Sequence, residues 1–325
     1  MDTTTLTSSS PQSPNPPVHV WTDAPDAVAR IEQLLASGQI NESEARQLMQ
    51  FREEGYFILP AAIDARLIDS LRIDLLLLPA DKEKYLVRVP RPSRKQIITV
   101  HPNTSVLPPY SRLLDIYVNN QAARDMILSS PLTRMLSLIY GEAPLVFQSL
   151  LFTWGTQHEL HTDNGFIVAD PPCAIVASWI ALEDVVEGAG ELAFYPGTHK
   201  DPLFLFDKDK IAWQKERDGV DIKREYVRHL EAQAARHEAN KQTFLGKKGD
   251  VIIWHANLLH YGTTRIKQEH TRYSLLTHYC PASGTPNYFN FFQDSYRKPW
   301  KEGFYSSRRY NLRPGMENPY PVFKG

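Results

Sequence analysis

Five short apolar runs in the second half of the chain most constrain its fold. They follow Gly141 and read PLVFQSLLFTW, CAIVASWIALEDV, ELAFYP, DVIIWH and RYSLLTHYC. Each is rich in β-branched and aromatic residues, and Gly, Pro, Asp or Asn residues separate them. Short strands divided by such turn residues are typical of an antiparallel sandwich or barrel. The sequence therefore predicts a mainly β core over residues 142–281, interrupted by a charged insert at 201–245 that contains a helix.

The N-terminal part, residues 24–140, is predicted to be largely helical. Asn41 with Glu44 forms a capping-box signature, and Gly55 is a suitable end for the helix between them. The predicted elements, in order, are a helix over 24–36, a helix from Asn41 to Glu54, a strand over 56–60, a helix after Asp64 and a helix over 120–140. The predicted fold class is α+β, with these helices packed on the β core.

Residues 1–18 are Ser, Thr and Pro with almost nothing apolar, so a disordered tail is predicted there. Residues 85–119 lack a clear period, and we favour a solvated loop over a substrate-facing patch. Four residues make this segment locally basic: Arg88, Arg91, Arg94 and Lys95. The aromatic extension at 282–325 either covers the mouth of the barrel or forms a dimer contact. No linker divides residues 19–325, which are treated as one domain.

Charge and composition exclude several classes of protein. With 36 basic and 37 acidic residues, the net charge is −1, so neither nucleic acid nor an anionic membrane is expected as a partner. No run of about 18 apolar residues predicts a transmembrane helix, and no signal peptide is recognisable. Cys173 and Cys280 lie in apolar surroundings and are predicted to be buried thiols rather than a disulfide. A cytoplasmic enzyme is the expectation.

The triplet His161-Thr162-Asp163 is the first candidate for chemistry. On an extended strand, residues two apart point to the same face, so His161 and Asp163 could both bind one metal ion. Such a triplet also occurs by chance, and a third ligand is needed. The candidates for it are His255, His260, His270 and His278. His255 ends a strand and is predicted to be structural.

Arg272 lies on the same strand face as Ser274, Leu276 and His278, and so could point into the β core. A buried Arg needs an anionic partner, which is either a protein carboxylate or a bound carboxylate ligand. Arg265 is a rival, but its loop position favours a solvated side chain. Two His and one carboxylate form the facial triad of non-haem Fe(II), which leaves positions open for a 2-oxo acid and O₂.

With these residues in order, the chain resembles the phytanoyl-CoA dioxygenase-like family of Fe(II)/2-oxoglutarate-dependent oxygenases. The resemblance covers most of residues 45–281 and rests on FREEGYFILPAAI, the HTD triplet, WIALEDVVEGAGELAFYPGTHK, and GDVIIWHANLLHYGT followed by Arg272. It implies a double-stranded β-helix, or jelly roll, with the metal between its two sheets. It also implies Fe(II) as cofactor, and 2-oxoglutarate and O₂ as co-substrates.

The resemblance assigns the metal ligands to His161, Asp163 and His260, and the 2-oxoglutarate anchor to Arg272. The family usually carries a small hydroxyl residue two positions after the distal His. Here that position is Gly262, so Thr263 or Thr264 makes the equivalent hydrogen bond, or the bond is absent. Further co-substrate contacts are expected from Thr263, Gln148, Thr153 and Ser178. Substrate contacts are expected from Asn164, Phe166 and His158.

The predicted function is hydroxylation of an aliphatic carbon of a small molecule, with release of succinate and CO₂. Desaturation, epimerisation or cyclisation by the same centre is the alternative, and a silent jelly-roll binding protein is a weaker one. Asp163 argues against halogenation, because related halogenases replace this carboxylate with a small residue. The basic segment around Arg88 favours an anionic substrate. The protein is expected to be a monomer or a homodimer.

Overall fold

The structure is a computed structural model, and it describes residues 20–91, 96–105, 107–207, 210–286 and 296–307. Six α-helices lie within these ranges. They are α1 Ala27–Ala36, α2 Glu42–Glu54, α3 Ala65–Leu76, α4 Gln121–Ile127, α5 Ser130–Tyr140 and α6 Lys215–His237. The predicted tail at 1–18 lies outside the described residues. None of the described helices is long and apolar enough to cross a membrane.

Local sequence signals set the ends of these helices. The Asn41 side chain accepts from the Glu44 N–H at 2.9 Å, and Glu44 accepts from the Asn41 N–H at 2.9 Å, which confirms the capping box of α2. The helix predicted over 120–140 is instead two helices, α4 and α5, because Pro131 fits only the first turn of a helix. The insert helix α6 is kinked at Gly219.

Fifteen strands lie within the described residues. They are β1 Tyr56–Leu59, β2 Leu86–Arg91, β3 Gln96–Val100, β4 Arg112–Leu114, β5 Pro144–Phe152, β6 Ala169–Asp170, β7 Val176–Ala181, β8 Leu192–Tyr195, β9 Gln242–Phe244, β10 Val251–His255, β11 Leu259–Gly262, β12 Ser274–Pro281, β13 Thr285–Pro286, β14 Tyr296–Trp300 and β15 Gly303–Ser307. Ten of the described strands form one large sheet in the order β1-β10-β7-β12-β5-β4-β2-β3, with β15 beside β5 and β14 beside β15.

A small sheet, β11-β8-β9, faces the large one, and the chain passes between the two sheets several times after β7. For example, β10 lies in the large sheet, β11 in the small sheet and β12 in the large sheet again. His161 forms an antiparallel bridge with His260 and so extends the small sheet by one position beyond β11. This is a double-stranded β-helix, and the predicted fold class is confirmed.

Two predicted segments differ from the structure. Residues 85–119 are not simply a solvated loop, because β2, β3 and β4 lie there and extend the large sheet. β9 lies inside the predicted insert 201–245, yet it pairs with β8 and belongs to the small sheet. Arg94 and Lys95 lie outside the described residues.

The large sheet has two faces with different partners. Its outer face packs against the N-terminal helices, and Val176, Ile180 and Leu275 belong to that core. Its inner face is turned toward the small sheet, so Trp179 and Trp254 pack with Phe194 of β8. The two cysteines are buried and free, as predicted. The metal ligands lie between the inner face and the small sheet.

Candidate metal centre

The two candidate histidines of the metal site are paired across neighbouring strands. The His161 N–H donates to the His260 carbonyl at 3.0 Å, and the His260 N–H donates to the His161 carbonyl at 3.0 Å. Directly opposed residues of an antiparallel pair place their side chains on the same face. The backbone alone therefore brings both imidazoles together, although about a hundred residues separate them in the chain.

Both imidazoles are oriented by a backbone carbonyl. Nδ1 of His161 lies 2.8 Å from the Glu159 carbonyl, and Nδ1 of His260 lies 2.8 Å from the Leu258 carbonyl. A carbonyl can only accept, so each Nδ1 carries the proton and each Nε2 keeps its lone pair for a metal. The two Nε2 atoms lie 3.8 Å and 3.6 Å from Asp163 Oδ1.

Asp163 begins a short 3₁₀ turn, Asp163–Gly165, that follows the extended residue Thr162. Its Oδ2 accepts from Trp254 Nε1 at 2.9 Å, and its Oδ1 lies 3.4 Å from His278 Nε2. Burial alone would raise the pKa of this carboxyl, but His260 and His278 hold the pKa below its ordinary value. The side chain is therefore a carboxylate at neutral pH, with Oδ1 directed at the histidines.

These three residues fit a divalent iron ion. One ligand atom from each of His161, Asp163 and His260 can be chosen so that all lie within 4.8 Å of one another. That spacing allows each to reach a shared ion at about 2 Å. Burial, followed by the charge of His260, lowers the pKa of His161 to about 3, so this imidazole is neutral at pH 7. Two imidazoles and one carboxylate are the donor set of non-haem Fe(II) sites.

Arg272 lies in the same interior, just before β12. Its N–H donates to the Thr153 carbonyl at 2.9 Å, and its guanidinium donates to the Gly190 carbonyl. The guanidinium carbon lies 5.3 Å from the ring centre of Trp179 and 5.9 Å from that of Phe152. Arg272 is 3% exposed. The side chain is thus held by aromatic rings and a carbonyl rather than by an acid.

Arg272 keeps donor capacity for a ligand. Its buried Nε has no acceptor, and no carboxylate lies within salt-bridge distance of it, among the described residues. Burial lowers the pKa of Arg272 to about 10, and the charge of Glu191 opposes that shift. The group is still a cation at neutral pH. An ionised carboxylate from a bound small molecule would complete its hydrogen bonds.

Two of the predicted co-substrate contacts, Ser178 and Thr153, have side chains on the outer face of the large sheet, away from the metal ligands. Ser178 Oγ lies 3.0 Å from the hydroxyl of Tyr279, in the layer that packs on the helices. The neighbouring Trp179 takes the inner position. The Thr153 hydroxyl interacts with Tyr273, so this residue serves the site only through its carbonyl, which positions Arg272.

The other two predicted co-substrate contacts are Gln148 and Thr263. Gln148 lies opposite His278 in the pairing of β5 with β12, on the inner face. The Thr263 hydroxyl is buried and has no hydrogen-bond partner among the described residues, so it remains available. A Cβ at Gly262 would lie 3.1 Å from the backbone nitrogen of His158, so a larger residue there needs a small shift of the neighbouring chain.

Two of the three predicted substrate contacts flank the metal ligands. The His158 ring centre lies 4.2 Å from that of His161, and the Phe166 ring centre lies 6.1 Å from it. Asn164, the third predicted substrate contact, is placed differently, because its Nδ2 donates to Asn257 Oδ1 at 2.6 Å. With Thr162, it lines a small cavity of about 20 Å³ beneath the insert.

The insert helix α6 closes over this cavity. The Tyr226 hydroxyl lies 3.0 Å from Thr162 Oγ1. A Cβ at Gly165 would lie 2.1 Å from the same hydroxyl, so only glycine fits at that position. The insert is therefore tied to the back of the HTD triplet, on the side opposite the iron ligands.

Other histidines have structural partners. His255 Nε2 lies 3.3 Å from Asp23 Oδ2, and His199 Nε2 lies 3.1 Å from the Arg52 carbonyl. Arg265 is buried rather than solvated, because its guanidinium stacks 4.8 Å from the ring centre of Trp154. These positions hold the scaffold and not the metal.

Sequence reasoning missed the roles of Trp254, Trp179 and His278 beside the site. His278 was a candidate ligand, but it lies outside the group of three and instead contacts Asp163. Strict alternation along β7, β10 and β12 is the signal that places all three on the inner face. Trp254 is six residues from His260 in the sequence, and its hydrogen bond to Asp163 depends on the tertiary fold.

A jelly roll with two histidines and one aspartate between its sheets defines the class of non-haem iron oxygenases. The sequence model of the family described as phytanoyl-CoA dioxygenase (PhyH) matches residues 51–266, which is more than half of the chain. The chain belongs to this family. The predicted family, and with it the class of Fe(II)/2-oxoglutarate-dependent oxidoreductases, is confirmed.

Phytanoyl-CoA dioxygenase 1 of Oryza sativa subsp. japonica is 28% identical over 125 residues, which is 38% of this chain and 39% of the rice protein. Two solved structures share the fold. The epimerase SnoN with Fe³⁺, α-ketoglutarate and nogalamycin RO is 16% identical, with a TM-score of 0.54, and the alignment covers 81% of this chain and 98% of SnoN. EctD from S. alaskensis with 2-oxoglutarate and 5-hydroxyectoine is 20% identical, with a TM-score of 0.53, over 75% of this chain and 79% of EctD.

Proposed function

We propose that the chain is an Fe(II)- and 2-oxoglutarate-dependent dioxygenase that hydroxylates an aliphatic carbon of a small molecule and releases succinate and CO₂. The observation that carries the proposal is the joint presence of two kinds of group in one interior. One is the buried set His161, Asp163 and His260, and the other is the buried cation Arg272, which pairs with no acid in the described part of the chain. A metal site alone would not imply a dicarboxylate co-substrate.

Each residue then has a defined role. His161, Asp163 and His260 would hold the iron, which supplies the activation of O₂ when bound. Arg272 binds the far carboxylate of 2-oxoglutarate, with Thr263 and Gln148 as further polar contacts. Trp254 keeps Asp163 Oδ2 occupied and so fixes which oxygen faces the metal. Phe152 and Trp179 exclude water around the Arg272 cation.

The outcome of the oxidation depends on how the substrate lies, and the fold is compatible with several outcomes. Among proteins of this fold, SnoN is described as an epimerase and SnoK as a carbocyclase. Desaturation, epimerisation and cyclisation therefore stay as alternatives to hydroxylation for this chain. His158 and Phe166, which flank His161, are the first residues expected to orient the substrate.

The decisive experiment supplies the purified full chain with Fe(II), 2-oxoglutarate and O₂ and screens a panel of small metabolites. Succinate formation and 2-oxoglutarate consumption are measured, and mass spectrometry identifies the product. A product heavier by one oxygen indicates hydroxylation, and one lighter by two hydrogens indicates desaturation or ring formation.

Two variants serve as controls. His161→Ala should abolish succinate formation, whereas Arg46→Gln, at an exposed arginine of α2, should leave it unchanged. Unchanged turnover in His161→Ala would refute the assignment of the metal site. A chain that binds iron and 2-oxoglutarate yet never forms succinate would instead support a silent binding protein.

A further inference from the structure

The insert helix α6 covers the outer face of the small sheet behind the metal ligands. In β11, His260 points toward the metal, so its neighbours Leu259 and Tyr261 point to the outer face. Both belong to an apolar cluster with residues of α6 that are spaced four apart on one side of the helix: Ile222, Tyr226, Leu230 and Ala234. The insert therefore packs directly behind a metal ligand.

Tyr226 is the member of this cluster that reaches the HTD triplet. Its ring centre lies 4.9 Å from that of Phe206 and 5.6 Å from that of Phe204, and the whole side chain is buried. A large ring packed between two others at interior density has little freedom to move. The hydroxyl at the end of this ring is therefore held in one place.

The Tyr226 hydroxyl contacts the residue that stands between two metal ligands. It accepts from the Thr162 N–H at 3.4 Å and lies 3.0 Å from Thr162 Oγ1. That N–H belongs to the peptide unit that joins His161 to Thr162, and Asp163 follows directly in the chain. One hydroxyl therefore holds both the backbone and the side chain of the residue that connects His161 to Asp163.

The insert also holds the 3₁₀ turn that begins at Asp163. The Trp213 N–H, from the insert, donates to the Gly165 carbonyl at 3.0 Å. Tyr226 approaches the same glycine so closely that a Cβ there would lie 2.1 Å from the hydroxyl oxygen. Its ring also lies edge-on to Phe166, with 6.1 Å between the ring centres. The insert thus contacts the chain on both sides of Asp163, which limits how far the carboxylate can turn.

We propose that Tyr226 is a positioning residue for the metal centre, and that its hydroxyl holds His161-Thr162-Asp163 in the geometry that binds iron. The proposal rests on the metal site of the proposed function and gives the insert a part in it. Residues that orient metal ligands without touching the metal typically change metal affinity by about 10- to 100-fold when they are replaced. Loss of the Tyr226 hydroxyl should therefore weaken iron binding although every ligand is kept.

The test compares two tyrosines of the same apolar cluster. Tyr226→Phe removes only a hydroxyl, and the matched control, Tyr195→Phe, removes the hydroxyl that donates to Glu238 Oε2 at 3.2 Å. The full chain is titrated with Fe(II) in the absence of O₂. The Kd for Fe(II) should rise about tenfold in Tyr226→Phe and stay at the wild-type value in Tyr195→Phe. Melting temperatures of the metal-free proteins are compared as well, because each variant loses one hydrogen bond.

A double-variant cycle tests whether the effect of Tyr226 passes through Thr162. Thr162→Val removes Oγ1 and should weaken iron binding less than Tyr226→Phe does, because the backbone N–H still donates to the hydroxyl. The combined variant should raise the Kd by less than the product of the two single effects, since both changes remove the same side-chain hydrogen bond. Single effects that simply multiply would contradict the proposed route.

The results that overturn the proposal are distinct from those that overturn the function. A lower melting temperature with wild-type iron affinity in Tyr226→Phe would assign the hydroxyl to stability alone and refute the positioning role. An equal rise of the Kd in Tyr195→Phe would refute it too, because general loosening of the cluster would then explain the loss. In both cases the wild type still binds iron and the proposed function stands. Failure of the wild type to bind iron refutes the metal site, and with it the role of Tyr226.

Discussion

The two faces of the large sheet are built from the same strands, but one stabilises the fold and the other carries the candidate site. On the outer face of β12, Leu275 and Tyr279 pack against the N-terminal helices. On its inner face, Leu276 packs with the apolar group around Trp179 and Phe194, and His278 contacts Asp163. The outer face is therefore a hydrophobic layer that stabilises the fold, whereas the inner face carries the charged and aromatic groups of the site.

This difference shows that polarity is a poor guide to function in a sheet of this kind. Ser178 and Thr153 are polar, yet both face the helical layer. Trp179 and Phe152 are aromatic, yet they surround the Arg272 guanidinium. The side of the strand, set by alternation from a known ligand, predicts a role in the site better than the chemical type of the side chain does.

The largest expected effect comes from removing the carboxylate of the inner site. Asp163→Ala should lower iron affinity by more than about 100-fold and bring succinate formation below detection, because the ion loses its one anionic ligand. Iron binding is measured by titration without O₂. Asp23→Ala is the matched control, since Asp23 also pairs with a buried histidine, His255, but away from the site. Iron loss in both variants would contradict a local effect.

A substitution on the outer face should affect stability instead. Leu275 is 0% exposed, so Leu275→Ala should reduce the free energy of unfolding by about 2–5 kcal/mol through lost burial and a cavity. The co-substrate affinity of the folded fraction should stay at the wild-type value. Denaturant unfolding and 2-oxoglutarate titration measure the two quantities. A large rise in the 2-oxoglutarate Kd without loss of stability would contradict the assignment of the outer face to stability alone.

Arg272→Gln should weaken the binding of 2-oxoglutarate rather than reduce the stability of the fold. Removing the cation from a buried contact with a carboxylate costs about 2–3 kcal/mol of binding, or about 30- to 150-fold in the Kd of 2-oxoglutarate. Iron affinity should change little, because Arg272 contacts no metal ligand. The control is Arg265→Gln, which removes a buried arginine that stacks on Trp154. That variant should lose stability rather than co-substrate affinity; the reverse result would make Arg265 the anchor.

Much of the fold could be predicted from sequence because its signals are local. The capping box at Asn41, the glycine after α2 and the alternation of the late strands depend on neighbouring residues alone. The split of the predicted 120–140 helix was also encoded locally, by Pro131. By contrast, β2 to β4 carry no clear period, and their pairing depends on the free edge of β5, which no local pattern reveals.

The residues of the candidate site also differ in whether a local sequence pattern predicts their position. His161, Asp163 and His260 follow a motif, so the sequence indicated them and the structure brings them together. Asn164 follows the same motif, but the 3₁₀ turn at Asp163 carries it to Asn257.

His278 offers the finest test of the two faces, because its neighbour Thr277 lies on the other side of the same strand. His278→Gln removes the imidazole that lies 3.4 Å from Asp163 Oδ1, so the carboxylate should be less firmly held and iron affinity should fall by about tenfold. Thr277→Ala, at a residue that is also 0% exposed, should leave iron affinity unchanged. Titration with Fe(II) in the absence of O₂ measures both. Equal effects would mean that burial, rather than contact with Asp163, explains the loss. A change confined to His278→Gln would show that alternation along β12 separates residues that support the metal from residues that support only the fold.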